Sequence, residues 1–297
     1  MLFRSEDDGD WDGAVSGNPF QVSEDAGASS RYPTAAVKTV GASRRVAVVF
    51  ADARGGDHDA YAAVFDVETL SLLGGNVLLG GSTADDYWPR VAATEAGFVT
   101  AWHRTAGDKQ VMTRLLGDDG ALAGDPIAVS KPEAARLPIA VGSDGAARVA
   151  IAFRGVVEDA LSTVYVRALS SAGEPLGDLD DGVVVGDSLD DSSVSWTYKS
   201  RYAIAWDAAA AAWLVAFDSE PGVPFGDPAA AEVLVGHVAE DASAFDAPFA
   251  LSDDANRSVQ PTLAVGARAL VLWHDNRDEI ATDASYAEIY AATLECP

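Results

Sequence analysis

Short runs of alternating apolar and polar residues, none long enough for a helix, recur along the chain and end on an aromatic. They are RVAVVF to Phe50, FVTAW to Trp102, RVAIAF to Phe153, WLVAF to Phe217 and ALVLW to Trp273. Valine-rich alternation of this kind predicts half-buried β-strands. Ahead of each run lies another short strand, at YPTAAV from Tyr32, WPRVAA from Trp88, LPIAV from Leu137, YAIAW from Tyr202 and QPTLAV from Gln260. Pro33, Pro89, Pro138 and Pro261 share one phase of this strand, and Ala203 stands in their place in the fourth.

A third strand follows at DAYAAVF, QVMTRLL, TVYVRAL, EVLVGHV and EIYAATL, and a shorter fourth at VLLG, IAVS, VVVG and FALS. Acidic, glycine-containing turns separate them. DGAVSGNPFQVS from Asp12 and DGALAGDPIAVS from Asp119 share seven of twelve positions, which makes the chain a repeat protein. Four strands at a period of about 50 residues predict an all-β, five-bladed β-propeller with four-stranded antiparallel blades. The expected blades are 32–86, 87–135, 136–195, 196–256, and 257–297 joined to 1–31, within one domain over 1–297. The fifth repeat lacks its fourth strand, and Phe20 to Ser23 is a spare one, so an N-terminal strand is expected to complete the last blade and hide the sheet edges.

The blade turns carry FADARGGDHDAY from Phe50 to Tyr61 and, in part, WHDNR from Trp273 with EIY from Glu288. These resemble the W-x-D-x-R-x-G-x-x-D-I-Y signature of secreted bacterial β-propeller repeat proteins, distantly similar to TolB-type repeats. The second and third repeats keep only Trp102-His103-Arg104 and Phe153-Arg154. The resemblance implies the propeller fold and an extracellular or cell-surface location; it implies no single activity.

Charge narrows the partners. With 46 acidic against 20 basic residues the net charge is −26, and four lysines are all the chain has. No basic stripe is available for phosphates, so nucleic acid is not an expected partner. No run of about 18 apolar residues suits a membrane span, and the first residues, MLFRSEDDGD, lack the pattern of a signal peptide. A monomer is expected. Cys296, the one cysteine, forms no intrachain disulfide.

No catalytic signature appears. There is no G-x-S-x-G elbow, no phosphate-cradling glycine loop, and no zinc spacing among His58, His103, His237 and His274. Asp8, Asp10 and Asp12 imitate the start of a calcium loop, but its twelfth position is Pro19 rather than glutamate. Asp57 and Asp59 could offer oxygens to calcium, and no cofactor is required by anything else in the chain. Asp52 with Arg54, and Asp275 with Arg277, read as turn-stabilising ion pairs.

The best candidate site is a constellation at the entry to the innermost strands. Arg31, Arg136 and Arg201 recur two residues before the proline phase, and Tyr32, Trp88 and Tyr202 one before it. Residues entering a propeller channel from different blades converge on one mouth. Arginines there could hold a carboxylate or sulfate, and aromatics could stack on a sugar. The expected function is therefore non-enzymatic recognition of a glycan, small anion or protein. The alternatives are a five-bladed glycoside hydrolase using funnel carboxylates and a structural surface-protein module. Against the hydrolase, the innermost strands hold almost no carboxylates; only Asp207 directly follows one.

Overall fold

The computed structural model describes residues 21–24, 28–83, 85–107, 109–132, 136–156, 162–178, 182–187, 202–219, 232–252, 258–275 and 288–294. Within them the protein is all-β, with nineteen strands in five antiparallel sheets. The first sheet runs β1 (Ser30–Val40), β2 (Ser43–Asp52), β3 (Asp59–Asp66) and β4 (Leu72–Gly80) in sequence order. The second repeats this with β5 (Asp86–Thr94), β6 (Gly97–Arg104), β7 (Gln110–Leu116) and β8 (Leu122–Ala128). The third holds β9 (Arg136–Ser143), β10 (Val149–Val156), β11 (Ser162–Leu169) and β12 (Val183–Asp187). The fourth holds β13 (Tyr202–Asp207), β14 (Ala212–Ser219), β15 (Glu232–Ala239) and the two-residue β16 (Phe249–Ala250). The fifth has three described strands, β17 (Ser258–Val265), β18 (Ala269–Asp275) and β19 (Glu288–Leu294).

Each sheet buries one face on the next. Val49 and Ala62 meet Val91 and Trp102 between the first two sheets, and Val99 and Ala101 meet Ile151 and Phe153 between the second and third. Val164 and Val166 meet Val215 and Phe217, and Leu214 and Val233 meet Val271 and Trp273, at the remaining two junctions. The first strands β1, β5, β9, β13 and β17 touch in that order and form the inner row.

The aromatic that ends each second strand needs room in the sheet before it. A Cβ on Gly80 would lie 2.5 Å from the Trp102 ring, and one on Gly186 2.5 Å from the Phe217 ring. Ser130 and Ser252 hold the same phase in the second and fourth sheets, and there the hydroxyl accepts from the amides of Val111 (2.9 Å) and Val233 (3.0 Å). The fourth-strand endings VLLG, IAVS, VVVG and FALS are thus small for packing reasons.

The expected completion of the last sheet by Phe20 to Ser23 is not found among the described residues. Phe20 lies outside them. Val22 packs on Phe50 and Phe65 of the first sheet, its carbonyl accepts from Asn76 Nδ2, and the Glu24 amide donates to Asn76 Oδ1. The free face of the first sheet offers this segment both apolar cover and hydrogen bonds. Strand β19 pairs with β18.

Candidate functional site

The prolines of the inner row distort the strands that carry them. Proline donates no ladder hydrogen bond, so pairing slips between Arg31 and Thr34, between Tyr87 and Arg90, and between Val259 and Thr262. At these three slips the residue before proline sits in the left-handed region, with φ of 57° at Tyr32, 56° at Trp88 and 59° at Gln260, and β9 also slips around Pro138, between Arg136 and Ile139. Bulky side chains avoid that region, and repeated use of it marks backbone held for a purpose. The bulge turns Tyr32 and Trp88 out of the sheet face and onto each other. Their rings stack with centroids 4.1 Å apart and planes 23° from parallel. Tyr87 meets Tyr32 edge-on at 6.2 Å, and His58 lies tilted over Tyr87 at 5.4 Å.

The fourth repeat shows what the proline does. With Ala203 in its place, β13 pairs without a slip, Tyr202 opposite Phe217. Tyr202 is therefore largely buried in the core between the third and fourth sheets, and it lines with Arg90 a cavity among the inner strands.

Carboxyls surround the aromatic group. The β2–β3 connection brings His58 and Asp59 against the start of β5: the Asp86 amide donates to the His58 carbonyl at 2.5 Å, and Asp85 Oδ1 accepts from the His58 amide at 2.8 Å. Burial alone would raise Asp85, but hydrogen bonds from His58 and Tyr87 hold its carboxyl below the ordinary carboxylate range. Burial raises Asp59 above that range, against a backbone hydrogen bond from Ser82, and the charges of Asp57 and Asp85 add to the rise. Asp86 is fully buried and pushed up to about 7, chiefly by desolvation; Arg104 opposes the rise and Asp59 adds to it. Tyr87 is pushed up to about 12 by burial and by its bond to Asp85.

His58 Nε2 and Trp88 Nε1 are enclosed here without a hydrogen-bond partner in the protein, whereas Asp59 is bonded from the Ser82 backbone and Asp86 by Ser82 and Trp102. Buried polar atoms are nearly always satisfied, so this mouth retains bonding capacity that the fold does not use.

Of the three expected arginines only Arg31 has a described side chain, and its charge acts on the Tyr87 hydroxyl. Arg31 is exposed and its Nε donates to Ser29 Oγ at 3.1 Å. Arg136 begins β9 opposite Arg154, its side chain outside the described residues, as is all of Arg201. Arg90, unmarked by sequence reasoning, lines a cavity of about 200 Å³ between β5, β9 and β13 with Ile139 and Ile204. Asp57 is exposed, and among the described residues no group of three metal-ligating side chains assembles around it and Asp59. Asp52 and Arg54 do form the turn ion pair, at 3.0 Å, with Ser30 and Asn76 as further partners. Asp207 accepts from turn amides and pairs with His237 at 3.1 Å, away from the mouth at the far end of β13.

Tyr87, His58, Asp85 and Asp86 were the residues that sequence reasoning missed. Their signal was present: GGDHD after β2 and DDYWP at the second proline phase are neighbours once the first two sheets stack.

No protein-family model matches the chain, and no curated protein matches it. Among solved structures it is similar to the GH43_1 enzyme from Xanthomonas citri, at 12% identity and TM-score 0.46, covering 89% of this chain and 87% of that one. It is also similar to the catalytic domain of a GH62 α-L-arabinofuranosidase from Coprinopsis cinerea, at 10% identity and TM-score 0.42, covering 89% and 90%. A PL25 ulvan lyase gives 9% identity and TM-score 0.47, covering 78% and 64%. All three likenesses are distant, and the chemistry of the mouth comes from its own side chains.

Proposed function

We propose that the five sheets are the blades of a five-bladed propeller and that the mouth between the first two binds carbohydrate. The observation that carries this reading is the Tyr32–Trp88 pair. Two partly exposed rings are held in one stack by backbone that their side chains disfavour, beside carboxyls able to accept from sugar hydroxyls. A flat ring face covers the C–H side of a sugar, and acidic acceptors orient its hydroxyls.

Cleavage of the bound glycosidic bond is a second reading, favoured over passive recognition by one feature. Asp59 and Asp85 feel each other's charge, yet Asp59 is held above the ordinary carboxylate range and Asp85 below it. Two carboxyls whose environments push their proton affinities apart are the minimum for glycoside hydrolysis, with Asp59 the proton donor and Asp85 the ionised partner. The test combines binding to immobilised plant and bacterial polysaccharides with release of reducing ends. Trp88→Ala is expected to abolish binding, and Asp59→Asn to abolish any cleavage. Binding without cleavage leaves a recognition module; Trp88-independent binding removes this mouth from consideration.

A further inference from the structure

The mouth described above draws on the first two sheets, and the free face of the fifth bears on what else lines it. In every sheet one residue of the third strand lies opposite the position after the aromatic: Ala60, Val111, Val164, Val233 and Ile289. The first four have no solvent exposure, and Ile289 is 63% exposed. Three positions before the aromatic, Ala47, Val99, Ala150 and Leu214 are at most 1% exposed, and Leu270 is 38% exposed. In the first four sheets these residues pack on the following sheet. Ile289 and Leu270 present the same apolar face uncovered.

The first sheet carries the other half of such a junction. Val22 packs against Phe50 and Phe65, in a cluster with Val46 and Val48. Its counterpart in the shared twelve-residue pattern is Val129, which clusters with Phe153, Leu169, Val149 and Ile151, the same four positions of the third sheet. There the Val129 amide donates to the Val111 carbonyl at 2.9 Å, and the Val111 amide donates to Ser130 Oγ at 2.9 Å. Val22 and Ser23 thus stand on the first sheet as Val129 and Ser130 stand on the third, and the residue in the place of Val111 is Ile289.

We propose that the fifth sheet closes on the first, with Ile289 bonded to Val22 and Ser23, and that closure makes Gln260 a binding residue of the mouth. Gln260 shares with Tyr32 and Trp88 both the place before proline and the left-handed backbone. Trp88 reaches Tyr32 from the sheet on one side, and closure brings Gln260 to Tyr32 from the other. A carboxamide both donates and accepts, which suits the hydroxyls of a sugar lying on the Tyr32–Trp88 stack. A second copy of the chain is the poorer occupant of the exposed face, because each copy carries −26. The ligand role of Gln260 rests on the carbohydrate reading; closure does not.

Closure is tested in a Cys296→Ser background, with near-ultraviolet circular dichroism checking the fold of each variant. Ile289→Cys is expected to react with a maleimide about tenfold more slowly than Leu176→Cys, whose parent side chain is 50% exposed. A short bismaleimide is expected to join Gln260→Cys to Tyr32→Cys, as it joins Trp88→Cys to Tyr32→Cys. Equal labelling rates without the 32–260 cross-link overturn closure. Protection of Ile289→Cys that tracks a dimer in sedimentation gives the face to a second copy and overturns it too. Calorimetry with cellotetraose and xylotetraose tests the binding role: Gln260→Gly is expected to weaken binding about tenfold. Trp88-dependent binding that Gln260→Gly leaves unchanged overturns the role of Gln260 and leaves the carbohydrate reading standing. Binding of neither probe removes both the ligand role and that reading, while labelling still decides closure.

Discussion

Asp86 concentrates the residue-scale physics of this protein. A carboxyl with no solvent contact is costly to ionise, and its ordinary value of 3.8 rises to about 7. The folded state therefore holds a proton that the unfolded chain gives up above about pH 4, so raising the pH favours unfolding until Asp86 ionises in both states. Below pH 4 the group contributes nothing. Between pH 4 and 7 stability falls, by about 4 kcal/mol in total, and above pH 7 the penalty is constant. Thermal melts at pH 5 and pH 8 should show Asp86→Asn gaining on the wild type as pH rises; parallel behaviour of the two would refute the assignment. Asp52 has the opposite sign. Burial works against it, but Arg54 and Ser30 hold it below its ordinary value, so its contribution is present above that value and is lost in acid. The Asp52–Arg54 pair was legible from sequence because both partners lie in one turn. The role of Asp86 was not, because its burial and the opposing charges of Arg104 and Asp59 act on it only once the chain is folded.

At the scale of elements, one residue decides whether an inner strand is bulged or straight. Tyr32, Trp88 and Gln260 precede prolines and carry positive φ; Tyr202 precedes Ala203 and pairs regularly. Gln260 carries the same backbone strain, and its amide, which donates to the buried Asp218 at 2.8 Å, survives substitution by glycine. Gln260→Gly should therefore relieve strain and stabilise by about 1 kcal/mol, read as a higher chemical-denaturation midpoint at unchanged slope. The reverse is expected where glycine makes room for a ring. Gly186→Ala places a methyl 2.5 Å from Phe217 and should destabilise by about 1–3 kcal/mol in the same assay. The proline phase was visible in the sequence, as was its loss in the fourth repeat. What the loss meant for Tyr202 was not, since a side chain's direction at a bulge depends on the pairing partner.

For the whole molecule, four sheet-to-sheet junctions share one design of apolar face on apolar face. The outer face of the first sheet is covered in part by Val22, and Leu270 and Ile289 of the fifth remain exposed, Ile289 at 63%. Over this frame lies a net charge of −26, which opposes compaction. Screening should relieve it: the melting temperature is expected to rise as sodium chloride increases from about 0.05 to 1 M, where the screening length falls to about 3 Å. A flat or falling profile would place the charges in local pairs instead.

Strand identity, the number of strands per repeat and the five repeats follow from local alternation and spacing, because a strand's period and its turns are written within a few residues of itself. The aromatic phases and the arginines of the inner row were equally plain as types. Which of them meet was decided in three dimensions. Stacking the first two sheets places Tyr32 on Trp88 and GGDHD against DDYWP, while an unbroken ladder sends Tyr202 inward. Periodicity assigns a residue to a position in its repeat; only the contact between repeats, and the water it excludes, assigns it a charge state and a partner.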